Sequence, residues 1–219
     1  MTEVRLKYKT LEFKTLDIHL RSLRDKQEFY DPLGEAESMG ISSAQWSLFG
    51  VLWPSEHVLA RAVEELDIQG KRVLEVGCGI GLASLLLKAR GADITATDCH
   101  PQTGRFLDLN AQLNDLKPVP FLRTNWEDDY QGMGKFDLII GSDLLYEQTG
   151  ADLLSQFIHR HANPGCEAVM IDPGRRHHAR FSKRMVALGW EHSQEKVTPL
   201  ESEDPPYKGV LLSYSLSNL

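Results

Sequence analysis

Glu75 interrupts an otherwise apolar run, VLEVGCGIGLASLL, that extends from Val73 to Leu86, and three glycines crowd its middle at positions 77, 79 and 81. The run begins like a buried strand and ends like a buried helix. The glycines therefore mark a strand-to-helix turn, where bare backbone can bend sharply and approach a ligand. A buried carboxylate without a partner costs several kcal/mol or more, so Glu75 makes sense only beside a cationic group. Asp98 ends the next strand, DITATD, where an acid can accept hydrogen bonds from both hydroxyls of a ribose. The spacing Gly-x-Gly-x-Gly is not the dinucleotide fingerprint, because position 82 is Leu82 and not glycine. The structural alternative is that Glu75 pairs with a basic residue and Asp98 caps the following helix.

A ligand carrying both an adenosine ribose and a charged amine accounts for the two acids together. S-adenosylmethionine is such a ligand. It has no pyrophosphate, so the helix that follows the glycines need not cradle phosphate.

These residues must be held by a larger frame. From Pro54 onward, apolar periodicity alternates between helix and strand. PSEHVLARAVEEL reads as a helix, KRVLEVG as a strand, LASLLLKARG as a helix and DITATD as a strand. PQTGRFLDLNAQLND is a helix, VPFLRT and FDLIIGS are strands, and TGADLLSQFIHRHAN is a helix. CEAVMID is a strand, RRHHARFSKRMVALG a helix, and WEHSQEKVT and GVLLSYSL are two final strands. Such alternation predicts an α/β fold: a Rossmann-like, doubly wound seven-stranded sheet, parallel except for a C-terminal antiparallel hairpin. Residues 1–50 differ. Partial period-two alternation in VRLKYKTLEF and TLDIHLRSL predicts a small hairpin, followed by loop. The chain thus divides into an N-terminal extension, 1–50, expected to lie on the active-site rim, and a main domain, 51–219.

Length and composition agree with this frame. The 219 residues suffice for one sizeable core, and no apolar run approaches the roughly 18 residues of a membrane span. The N-terminus, MTEVRLKYKT, has no apolar h-region, so no secretory signal is expected. Cys78, Cys99 and Cys166 lie far apart with no paired spacing. That predicts free thiols in a reducing, cytoplasmic setting and no zinc site. A net charge of −7 disfavours a nucleic-acid partner. No exposed apolar helix is evident, and a monomer without a membrane partner is expected.

The motifs resemble those of a known family. VLEVGCGIG looks like motif I of the class I, seven-stranded S-adenosylmethionine-dependent methyltransferases, and ITATD like their second motif. The element order over residues 54–219, with its terminal hairpin, is similar too. LWPSEHVLA, GADITATD, LDLNAQLN, TNWED and GSDLLYE together resemble the family 16 protein-lysine methyltransferases, the nicotinamide N-methyltransferase-like group. The resemblance implies that Glu75 contacts the methionine amine, that Gly77 and Gly79 pass beneath the ligand, and that Asp98 holds the ribose. It implies cofactor contacts for Trp53, Trp126 and Ser142, and an acceptor site built by Asp143 and Tyr146. A core aromatic is the alternative for either tryptophan, and a helix cap with a packed tyrosine is the alternative for SDLLY.

The expected reaction is transfer of a methyl group from S-adenosylmethionine, leaving S-adenosylhomocysteine, to a lysine of a protein substrate. A small-molecule amine acceptor and a non-catalytic S-adenosylmethionine-binding module are the alternatives. Lysine must lose its proton before attack, which near pH 7 costs roughly 4–5 kcal/mol. Asp143 would orient the amine, Tyr146 would wall the channel, and alignment would supply most of the acceleration. Three further stretches carry weaker signals. Asp204-Pro205-Pro206-Tyr207 matches a base-binding signature of nucleic-acid methyltransferases but falls in the final hairpin loop. The basic stretch Gly174–Arg184 reads as a solvated helix, or as a receiver for an acidic substrate surface, or as a partner for Asp172 or Asp143. The acidic residues Asp31, Glu35 and Glu37 read as solvated loop, or as a receiver for a cationic target. His159 with His161, and His177 with His178, diverge on a helix, so no metal is expected.

Overall fold

The computed structural model describes residues 5–25, 34–38, 41, 46, 48–128, 130–146, 150–175, 177–197 and 206–217. A hairpin comes first, β1 (Leu6–Glu12) and β2 (Asp17–Leu23), then a single turn of helix, α1 (Glu35–Ser38). The main domain runs α2 (Pro54–Val63), β3 (Arg72–Val76), α3 (Leu82–Ala89), β4 (Asp93–Asp98), α4 (Thr103–Leu113), β5 (Phe121–Arg123), β6 (Phe136–Ser142) and α5 (Gly150–Arg160). It closes with β7 (Ala162–Asp172), α6 (His178–Ala187), β8 (Trp190–Lys196) and β9 (Val210–Leu216). Pro54 starts α2, where its missing N–H is no loss and its fixed φ suits the first turn.

The main sheet has the order β5-β4-β3-β6-β7-β9-β8. All neighbours are parallel except β9, which runs antiparallel to both β7 and β8. This is the expected doubly wound sheet with its terminal hairpin. Helices cover both faces. Val73, Ile94, Ala96, Leu138 and Ile140 pack beneath α2, α3 and α4. Leu74, Val76, Ile139, Ala168 and Met170 pack against α5 and α6. Side chains alternate along a strand, so Glu75 follows Val73 onto the face covered by α3. The strand order reverses between β3 and β6, whose following helices leave to opposite faces. In such sheets the crevice beyond the carboxyl ends of those strands is where ligands bind.

The N-terminal extension splits into two parts. The hairpin packs on α4, away from the crevice, burying Leu11, Ile18, Leu20 and Leu23 in the same core as the sheet. Two asparagines fasten it. Asn114 Oδ1 accepts from His19 N at 2.7 Å and its Nδ2 donates to His19 O at 2.7 Å. Asn110 does the same for Arg21, at 2.8 and 3.2 Å. Each amide replaces the peptide group of a missing neighbouring strand. The match is geometric: positions i and i+4 on a helix lie about 6 Å apart, close to the spacing of alternate residues along a strand. Ile41, Leu48 and Phe49 follow the hairpin and reach the crevice.

Asn110→Ala leaves two backbone groups of Arg21 without partners and is expected to destabilise the chain by about 2 kcal/mol. Faster amide exchange at Arg21, with the sheet unaffected, would be seen by hydrogen-exchange mass spectrometry. Unchanged exchange across residues 17–23 would contradict this fastening role.

Candidate functional site

Beyond the ends of β3, β4, β5 and β6 lies a cavity of about 420 Å³. Its wall includes Trp53, Gly77, Gly79, Asp98, Trp126, Ser142, Asp143 and Tyr146, eight of the nine residues singled out from sequence. The volume is in the range of a small-molecule site. Glu75 is the exception. It is 1% exposed and sits behind the wall, where its Oε2 accepts from Ser84 N at 2.9 Å and from the Ser84 hydroxyl. Ser84 belongs to the first turn of α3, so Glu75 ties the strand to the helix across the glycine turn.

The three glycines of that turn have separate causes. All have left-handed φ, at +64° for Gly77, +56° for Gly79 and +80° for Gly81, a region costly for residues with a Cβ. A Cβ at Gly77 would overlap Leu144 Cδ2, and one at Gly81 would overlap Leu107 Cδ1. Both serve packing. A Cβ at Gly79 would meet nothing nearer than Glu56 Oε2, at 3.9 Å. Gly79 therefore presents bare backbone to the cavity.

Asp98 stands across Gly79 from Glu56. Its Oδ2 accepts from Gly79 N at 3.0 Å and its Oδ1 from His100 N at 2.8 Å. It caps no helix, since Gln102 holds the cap position of α4. Trp126 follows β5 and has its ring edge against Gly150, where a Cβ would come within 3.3 Å of Cζ3. Trp53 donates from Nε1 to Leu48 O at 2.9 Å, joining the start of α2 to the segment that carries Phe49.

Asp143 lies just past β6 with φ +55°, a conformation Asp tolerates better than most residues. Its N–H donates to Ile171 O at 2.8 Å. Leu144 wedges between Gly77 and Gly141, where a Cβ at either glycine would meet it. The loop is thereby pinned with Asp143 and Tyr146 at the cavity and caps no helix, as α5 begins at Gly150. Arg175 pairs with Asp143, Nη2 to Oδ1 at 2.8 Å. The DPGR turn sets that arginine, because Asp172 Oδ1 accepts from Gly174 N at 2.8 Å and Arg175 N at 2.7 Å. Farther along the basic stretch, Arg180 and Arg184 both grip Asp152 of α5. Arg176, Asp31 and residues 203–205 fall outside the described residues, as does the side chain of Glu35; Glu37 is exposed. Tyr207 is buried and does not line the cavity, its hydroxyl 2.9 Å from Ser55 Oγ.

Glu56 was not singled out from sequence, where it reads as an ordinary acid in a first helical turn. It is 4% exposed, lines the cavity, and its Oε1 accepts from Leu82 N at 2.8 Å. Its position three, four and seven residues before the buried Leu59, Ala60 and Val63 is the signal that marks it as inward-facing. Burial first, then the charge of Glu75, pushes its carboxyl well above the usual range. Burial also raises Glu75 to about 7, against the lowering effect of Ser84, and lifts Asp98 above its ordinary value. Among the described residues, no ion pair involves any of these three acids. Nor does any group of three or more His, Cys, Asp or Glu there have the arrangement to hold a metal ion. Carboxylates on either side of bare backbone, with no ion-pairing cation among the described residues, fit a ligand that brings hydroxyls and a positive charge, as S-adenosylmethionine does.

Residues 38–186 match a family profile described as lysine methyltransferase. The electron transfer flavoprotein beta subunit lysine methyltransferase of Mus musculus is 33% identical over 165 residues, covering 74% of this chain and 62% of that protein. The protein N-lysine methyltransferase METTL21A of Danio rerio is 34% identical over 129 residues, covering 53% of this chain and 59% of that protein. The chain thus spans about 60% of the length of these relatives. Among solved structures, the Thermus thermophilus 16S rRNA N2 G1207 methyltransferase in complex with AdoMet and guanosine aligns with a TM-score of 0.64 at 13% identity. That alignment covers 98% of this chain and 51% of that one. The magnesium protoporphyrin IX methyltransferase of Synechocystis PCC 6803 with bound SAM aligns with a TM-score of 0.58 at 20% identity, covering 74% and 78%. These two likenesses concern the fold.

A carboxyl raised from 4.5 to about 7 binds its proton more tightly in the folded than in the unfolded chain. Its contribution to stability is complete below the unfolded value and is lost as pH rises through the folded one. Between pH 6 and pH 8 the ligand-free protein is expected to lose about 1 kcal/mol through Glu75. Urea unfolding should show this loss, and Glu75→Gln should reduce it. A variant with the wild-type pH slope would contradict the assignment.

Proposed function

The chain belongs to the lysine methyltransferase family, and we propose that it transfers the methyl group of S-adenosylmethionine to a lysine side chain of a protein. The observation that carries this reading is the cavity itself. Two buried acids, Glu56 and Glu75, and a third at the wall, Asp98, surround the glycine turn with no ion-pairing cation among the described residues. On the neighbouring strand, Asp143 and Tyr146 face the same space. When bound, S-adenosylmethionine supplies the electrophilic methyl on its sulfonium.

The chain's own residues bind, orient and exclude water. Asp98 accepts hydrogen bonds from the ribose hydroxyls, and Trp126 walls the nucleoside end. Asp143 serves the acceptor. Held by Arg175 at 2.8 Å, it is a fixed hydrogen-bond acceptor whose charge is offset by the guanidinium. Such a group orients an amine without strongly favouring the ammonium, the form of lysine that cannot attack. Tyr146 closes the channel with an aromatic face, which suits the cationic product. Most of the acceleration then comes from positioning, with no dedicated strong base. A protein acceptor is supported by the names of both relatives, each a lysine methyltransferase.

Incubation of the purified chain with methyl-labelled S-adenosylmethionine and a cell lysate tests the acceptor. Label on lysine in a protein band is expected; label confined to the low-mass fraction would contradict a protein substrate. Asp143→Asn is expected to slow transfer at least tenfold while leaving S-adenosylhomocysteine affinity within about twofold, since alignment of the acceptor, not cofactor binding, is lost. Transfer at the wild-type rate would remove Asp143 from the acceptor site.

A further inference from the structure

Glu56 has no part in the acceptor chemistry above, and the resemblance in motif places the ligand's amine at Glu75. The geometry points elsewhere. We propose that Glu56 receives the α-ammonium of the cofactor's amino-acid end and that Glu75 stays behind the wall as a positioning residue. This rests on the reading of the cavity as an S-adenosylmethionine site.

Accessibility is the first argument. Glu56 lines the cavity, whereas Glu75 does not, and Glu75 Oε2 is engaged by both the backbone and the hydroxyl of Ser84. Layout is the second. Gly79 lies between the two wall acids: its N–H donates to Asp98 Oδ2 at 3.0 Å, and the place its Cβ would fill is 3.9 Å from Glu56 Oε2. A ligand crossing Gly79 with its ribose at Asp98 carries its amino-acid end toward Glu56. Charge is the third. Glu56 is 4% exposed and makes no ion pair among the described residues, while Glu75 and Asp98 both repel its charge. An ammonium placed at Glu56 supplies the missing counter-charge for all three.

Glu56 also accepts from Leu82 N at 2.8 Å, which raises the competing reading that it merely caps α3. Glu56→Gln separates the two, because an amide oxygen can still accept from Leu82 while the charge is gone. The ligands are S-adenosylhomocysteine and 5′-methylthioadenosine, a thioether nucleoside with no amino-acid end. Calorimetry should show Glu56→Gln weakening S-adenosylhomocysteine at least tenfold and 5′-methylthioadenosine by less than about twofold. Equal affinity of variant and wild type for S-adenosylhomocysteine overturns the proposal, as does an equal loss for both ligands.

A second measurement needs no variant. Wild-type protein should bind desamino-S-adenosylhomocysteine, with hydrogen in place of the amine, at least tenfold more weakly than the parent. The two changes should also be non-additive, as expected for groups in contact. Undiminished binding of the desamino ligand overturns the proposal. A wild-type chain that binds none of the adenosyl ligands overturns the cofactor reading, and this inference with it.

Discussion

Three carboxylates converge on one glycine turn, and the protein provides no ion-pairing cation for any of them among its described residues. Proteins rarely accept such an arrangement, because each charge loses water and each repels the others. Here the acids are held in place by backbone. Leu82 N, Ser84 N, Gly79 N and His100 N all donate to them. Those four bonds also fix where α2, α3 and β4 meet. The same contacts that organise the turn therefore leave it electrically incomplete, and a cationic nucleoside completes it.

The rest of the fold serves this centre. A parallel sheet reverses its strand order between β3 and β6 and so opens a crevice where the two strands end. β3 delivers the glycine turn to one side of it, and β6 delivers Asp143 and Tyr146 to the other. Leu144 locks the sides together by filling space that glycines at 77 and 141 leave free. The glycine turn and the loop that carries Asp143 and Tyr146 are thus set by one packing contact. The terminal hairpin contributes at a distance, through Tyr207 at Ser55 beside the start of α2.

Much of this was legible in the sequence, where local rules decide. Period-two and helical spacings located all seven strands of the main sheet and its five longer helices. Gly79 and Asp98 stood out because few sites other than a nucleoside pocket need a turn of bare backbone followed by an acid at a strand end, whereas the packing of Gly77 on Leu144 is not legible locally. Glu75 was recognisable as anomalous, but its partner was not. Ser84 lies nine residues away, on the far side of a turn whose exact course the sequence does not specify. Glu56 was hidden by an ordinary context, since acids are common in first helical turns. Asn110 and Asn114 likewise resemble a solvated helix face, and only the tertiary arrangement brings β2 against them. The basic stretch divided in a way no charge count predicts, with Arg175 at the cavity and Arg180 and Arg184 on Asp152.

The most direct test of the central claim is the number of protons exchanged when S-adenosylhomocysteine binds, measured by calorimetry at pH 6.5 in buffers of different ionisation enthalpy. An amine of ordinary α-amino pKa arrives already charged at that pH. Acids held above their usual range should then ionise as the ammonium enters, so the account predicts net proton release into the buffer. Binding with no proton released, or with protons taken up, would mean that the carboxylates around the glycine turn are not waiting for a positive charge.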